Sequence, residues 1–124
     1  MSAAACAALV ERGDPERWRC AMAAPVGPAR DGLMALYAFN LEIARAGYAV
    51  SEPMLGQIRL RWWADAVAEI AAGAAPRAHE VCGPLAAVVR GAALPEAALQ
   101  AMIAARDWDC GREGFADFAA LEAY

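Results

Sequence analysis

The chain has 124 residues, 60% hydrophobic and 21% charged, with a formal net charge of −4; that length suits one domain or part of one and excludes two separate cores. An acidic chain without a basic stripe excludes a general nucleic-acid binder, because neutralising phosphates needs surplus cations on one face. So apolar a composition, at a size where surface is large relative to volume, predicts apolar surface that meets a partner or a further piece of chain.

Ala3 to Arg12 is Ala-rich and favours a helix that Gly13 stops. Asp14-Pro15 reads as an N-cap followed by proline at the first helical position, opening a short helix through Trp18 and Met22. Pro25, Gly27 and Pro28 end it. From Ala29 to about Val50 the spacing is helical, with Leu33, Leu36, Tyr37, Ala44 and Tyr48 on one side and Asp31, Glu42 and Arg45 on the other. Ser51-Glu52-Pro53 is a second start signal, with Ser51 as the cap, and the helix it opens continues to Gly73. A further helix is expected over Ala78 to Arg90, with a kink or restart at Gly83-Pro84, and Gly91 closes it. Pro95-Glu96 opens another, with Leu99, Met102 and Ile103 inward. Asp107 to Gly114 then reads as a polar loop before a last amphipathic helix in Phe115 to Tyr124. That helix is marginal alone and predicts further chain to pack against.

No alternating strand pattern or internal repeat appears, so the expected fold class is all-α, with about six helices. The expected organisation is a single all-α domain or domain fragment: N-terminal helices in 1–28, a central helix pair in 29–73 and peripheral helices in 74–124. Cys6, Cys20, Cys82 and Cys110 are scattered and there is one His, so zinc-site spacing is absent and no metal site is expected. Reduced, mostly buried thiols suit a cytoplasmic setting. The N-terminal residues lack the basic start and long apolar core of a signal peptide, and no run approaches the roughly 20 apolar residues of a membrane-spanning helix.

Two polar residues fall on apolar faces. At 100° per residue, Leu55, Ile58, Leu60, Trp62, Trp63, Ala66, Val67 and Ile70 fill one wide arc with Arg59 in its middle. A buried arginine needs an oxygen-bearing partner for its fork. Three readings stay open: an internal ion pair with a neighbouring helix, aided by stacking on Trp63; a phosphate-binding arginine; or an exposed groove with Arg59 solvated. Asn40 sits among Leu33, Leu36, Tyr37 and Ala44, where its amide needs internal partners or fixes helix register, and positions 40, 44 and 48 stack along that face.

Leu36-Tyr37-Ala38-Phe39, Ser51-Glu52-Pro53, and Gly56-Gln57-Ile58-Arg59-Leu60 with Trp62-Trp63 resemble the N-terminal part of a squalene/phytoene synthase. The likeness is to the divergent branch that includes a mitochondrial complex I assembly factor and its bacterial relatives. It extends more weakly to Asp107–Tyr124. The resemblance implies the N-terminal part of an isoprenoid-synthase-like helical bundle, here incomplete. In catalytic members an aspartate-rich motif after the Tyr-Ala-Phe element holds magnesium against a substrate diphosphate. Carried across by position, those aspartates fall at Ala44, Arg45 and Tyr48, none of which offers a carboxylate. Glu42 is expected to point to the opposite side of the helix. The family's second aspartate motif lies further downstream, and Asp107 and Asp109, two apart, do not share a helical face.

The resemblance with these substitutions implies a non-catalytic member, a pseudoenzyme acting as an assembly or interaction factor. It implies no catalytic residues and no cofactor. The expected ligand-binding residues are Arg59, Asn40, Tyr37, Tyr48 and Trp63. Expected partners are another protein or a second copy, with a prenyl diphosphate or lipid as ligand, no nucleic acid and at most a peripheral membrane contact. Two alternatives stand beside this: a head-to-head prenyltransferase, which would need Mg2+, and a small helical dimerisation module.

Overall fold

The computed structural model describes residues 3–48, 52–111 and 114–124. Among these there are seven α-helices and no strand: α1 (Ala3–Gly13), α2 (Pro15–Met22), α3 (Pro28–Arg45), α4 (Pro53–Ala71), α5 (Cys82–Gly91), α6 (Glu96–Gly111) and α7 (Phe118–Ala123). No described helix is long and apolar enough to cross a membrane.

Local chemistry sets most boundaries. Asp14 caps α2, its carboxylate accepting from the Arg17 backbone N–H at 3.2 Å and from the Arg17 side chain at 2.6 Å; that hydrogen bonding holds the Asp14 carboxyl below its ordinary range. Gly27, at φ +134°, supplies a turn an L side chain rarely adopts, and Pro28 starts α3. Arg30 ties that turn down by donating to the carbonyls of Met22 and Ala24. At α4 the cap position is Glu52, with Pro53 in the first turn; Ser51 lies outside the described residues. Gly73, at φ +85°, ends α4 in a Schellman motif, with Gly73 N–H donating to Ile70 and Ala74 N–H to Glu69. Arg90 adds a side-chain cap there by donating to the carbonyls of Ile70 and Ala74.

Three expected boundaries shift. The helix expected from Ala78 begins at Cys82, so Pro84 falls in the first turn of α5, where it breaks no helical hydrogen bond and causes no kink. Asp107 to Gly111 is not loop but the last turns of α6. Tertiary pairing there offsets weak helix propensity: Asp107 accepts from Gln57, and Asp109 accepts from both Arg106 and Tyr124. The last helix starts at Phe118, where the Asp117 carboxylate caps it by accepting from Ala120 N–H, and is correspondingly short.

α3 is the hub, packed by α1, α2 and α5, while α4 packs mainly on α6 and touches α3 sparingly. The core runs from Cys6 and Val10 through Phe39 and Ile43 to Trp63, Val67, Ile70, Leu85 and Ile103. The buried stripe of α3 is Gly32, Met34, Ala35, Ala38, Phe39 and Ile43. That differs from the expected face: Leu33, Leu36 and Tyr37 are half-buried at its flank and Tyr48 is 78% exposed. Close approach explains the choice. A Cβ on Gly32 would lie 2.7 Å from Val88 of α5, so small residues form the contact and larger ones ring it.

Candidate functional site

The site grows from two consecutive tryptophans on α4, which leave the helix about 100° apart. Trp63 turns inward, 5% exposed, with its ring edge-on to Phe39 of α3 at 5.6 Å. Trp62 stays half-buried beside it, edge-on at 4.9 Å. His79, from the segment between α4 and α5, closes the cluster at 5.0 Å from Trp63 and 5.5 Å from Trp62. Its Nδ1 accepts from Val81 N–H at 3.1 Å, which fixes the ring's orientation.

A fork-to-fork ion pair braces the outer side. Arg77 donates through Nε and Nη2 to the two Glu69 oxygens at 3.0 and 2.6 Å, and through Nη1 to the Trp62 carbonyl at 3.4 Å. Its guanidinium lies 5.0 Å from the centre of the Trp62 ring, within cation–π range. Hydrogen bonding to Arg77 holds the Glu69 carboxyl below its usual range, and Glu69 pushes Arg77 up in turn.

Glu42 and Arg45 of α3, Arg59, Trp62 and Trp63 of α4, and His79 line one cavity of about 440 Å³. Arg45 and Arg59 are exposed at its mouth, and among the described residues neither has a carboxylate within ion-pairing distance. Of the three readings for Arg59, the internal ion pair fails among the described residues, and its exposure is compatible with both the phosphate-binding and the solvated-groove readings. Leu55 and Ile58, expected to bury the helix around it, are 45% and 58% exposed. Stacking on Trp63 is replaced by Arg77 over Trp62. Glu42, expected on the far side of α3, faces the same cavity as Arg59.

Of the five expected ligand-binding residues, the cavity therefore brings together Arg59 and Trp63. Asn40 and Tyr37 are half-buried elsewhere on α3, and Tyr48 projects from the turn after it. Residues missed from sequence are Glu42, Arg45, Trp62, Arg77 and His79. The signal available was the Arg77–His79 pair just after Pro76, the chain's one histidine near its Trp-Trp step. Among the described residues no three His, Cys, Asp or Glu side chains gather as a metal-binding group. The arrangement puts two arginines from different helices, with Glu42, around a cavity walled by Trp62 and Trp63. That suits an anionic phosphate or carboxylate carrying an apolar or flat body.

Comparison with known proteins identifies relatives of the chain. The human complex I assembly factor 6, of NADH dehydrogenase (ubiquinone), is 34% identical over 65 residues, 52% of this chain and 19% of that protein. The Drosophila melanogaster homolog is 36% identical over 64 residues, 50% of this chain and 19% of its own length. The chain thus spans about a fifth of the curated relatives it matches. No solved structure matches. The sequence pattern of squalene/phytoene synthases matches residues 10–124, nearly the whole chain, and the chain belongs to that family.

Proposed function

We propose that this chain is a non-catalytic member of the family that works by binding, as part of an assembly or interaction factor. The α3–α4 cavity takes a phosphate-bearing ligand of prenyl diphosphate type. One observation carries the reading: Arg45 and Arg59 stand without carboxylate partners at the mouth of a tryptophan-walled cavity. The family pattern would place metal-binding aspartates at positions 44, 45 and 48; this chain has Ala44, Arg45 and Tyr48, of which Arg45 lines the cavity. Without those carboxylates a diphosphate is held by guanidinium forks, and the leaving group lacks the metal cluster that would stabilise its charge on ionisation. The relatives' name, assembly factor 6 of complex I, supports a role exercised through protein partners.

The test is calorimetric titration with geranylgeranyl diphosphate, with and without magnesium, alongside a pyrophosphate-release assay. Magnesium-independent binding without release is expected. Pyrophosphate release sinks the non-catalytic reading. Glu42 is the observation favouring the prenyltransferase alternative, since it puts one carboxylate at the cavity; that alternative requires release that Glu42→Gln abolishes.

A further inference from the structure

A second, larger cavity of about 740 Å³ lies on the opposite flank of α3, between its first two turns, α5 and the start of α1. Its volume is in the range that encloses a small organic ligand. Leu33, Leu36, Pro84, Val88 and Leu94 supply an apolar lining, and Asp31 is the one charged residue in it. Asp31 is exposed and has no ion-pair partner among the described residues. The neighbouring cation does not neutralise it, because Arg30 is committed to the carbonyls of Met22 and Ala24. An apolar trough with a lone carboxylate is the charge inverse of the arginine-mouthed cavity between α3 and α4.

We propose that this trough binds a small apolar molecule bearing one cationic group, its apolar body along Leu36 and Val88 and its cation beside Asp31. Charge complementarity selects this occupant. A neutral lipid chain leaves Asp31 unused, and an anionic amphiphile is repelled by it. The first two turns of α3 frame the trough, and the close Gly32–Val88 approach seats α5 on α3 along it.

The experiment is titration of the protein with decylammonium, decanol and decyl sulfate, each below its aggregation limit, followed by calorimetry and by amide NMR shifts. Decylammonium is expected to bind about tenfold more tightly than decanol, with decyl sulfate weakest and shifts confined to α3 and α5. Asp31→Asn should abolish the difference between decylammonium and decanol. Ala87→Trp, at an exposed position in the lining, should block both. Unchanged melting temperatures establish that the variants fold. Equal affinity for decylammonium and decanol overturns the proposal, as does binding that survives Ala87→Trp. Self-association of the protein that Ala87→Trp abolishes also overturns it, in favour of a second copy as occupant.

Discussion

The two halves of α4 share one backbone and differ in almost everything else. The C-terminal half buries Trp63, Ala66, Val67 and Ile70. The N-terminal half leaves Met54, Leu55 and Ile58 in solvent and is seated through Gly56 and Leu60. Hydrophobicity does not separate them, since isoleucine occurs in both, exposed at Ile58 and buried at Ile70. What separates them is which face meets a neighbour: α5 and the Trp62–Trp63–His79 cluster cover the C-terminal end, α6 runs along both halves through Gln100–Ala64 and Gln57–Asp107, and the outer face of the N-terminal end offers exposed apolar side chains beside Arg59. Met54, Leu55 and Ile58 are therefore the apolar surface that the proposed protein partner would meet.

The sharpest way to break the comparison is to truncate one large side chain from each half. Trp63→Ala removes a buried ring in edge contact with Phe39, Trp62 and His79 and should cost about 3–5 kcal/mol of unfolding free energy. Ile58→Ala should change it by less than about 0.5 kcal/mol. Urea denaturation of both variants gives the two numbers. Equal losses would mean that the open half is covered in solution.

Gly56 is next in size. A Cβ there would lie 2.7 Å from Cys110 Sγ and 2.8 Å from the Ala46 carbonyl oxygen, so the neighbour that must give way is backbone as well as side chain. Gly56→Ala is expected to destabilise by about 1–3 kcal/mol despite the better helix propensity of alanine. A stabilised variant would show that α3 and α4 do not approach as closely as described.

These contrasts mark how far the sequence could be read. Proline, glycine and aspartate carry their conformational signals locally, so Asp14-Pro15, Pro53, Gly73 and Gly91 mark helix ends to within two residues, whereas Pro28, read as part of a stop, opens α3. Facing is different. In an Ala-rich helix the large residues dominate a projection, and Leu33, Leu36 and Tyr37 draw the apolar face of α3 toward themselves. Close packing admits small residues at the tightest point, so Gly32 meets Val88 and Ala35 and Ala38 are buried beside Met34, Phe39 and Ile43. The same shift swings Glu42 and Arg45 to the cavity with Arg59, which is why that site was only partly legible. The Arg77–Glu69 brace depends on a turn between helices that no periodicity encodes.

Alkaline titration probes the covered side. Burial pushes the thiols of Cys6 and Cys82 from 9.0 to about 11, with Glu80 adding to the effect at Cys6. Between those values the unfolded chain releases thiol protons that the folded chain keeps. Stability is therefore complete below about pH 9 and falls as pH rises toward about 11. Melting temperatures across that range should fall for the parent and less steeply for Cys6→Ala/Cys82→Ala. At pH 8, Ellman's reagent should find one fast thiol, the exposed Cys20, and three that wait for unfolding.

The smallest expected change in stability belongs to Arg59, and it carries the most information about the open half. Arg59 is exposed and unpaired among the described residues, so removing its charge breaks no ion pair and strands no buried carboxylate. Arg59→Leu should shift unfolding free energy by less than about 0.5 kcal/mol. Binding of geranylgeranyl diphosphate should weaken at least about tenfold, or roughly 1.4 kcal/mol, because a charge-assisted fork to the phosphate is lost. Arg59→Lys, which keeps the charge but loses the planar fork, should fall between. Full affinity in Arg59→Leu would remove the cavity from the functional account and leave Met54, Leu55 and Ile58 as an apolar surface for a protein partner alone.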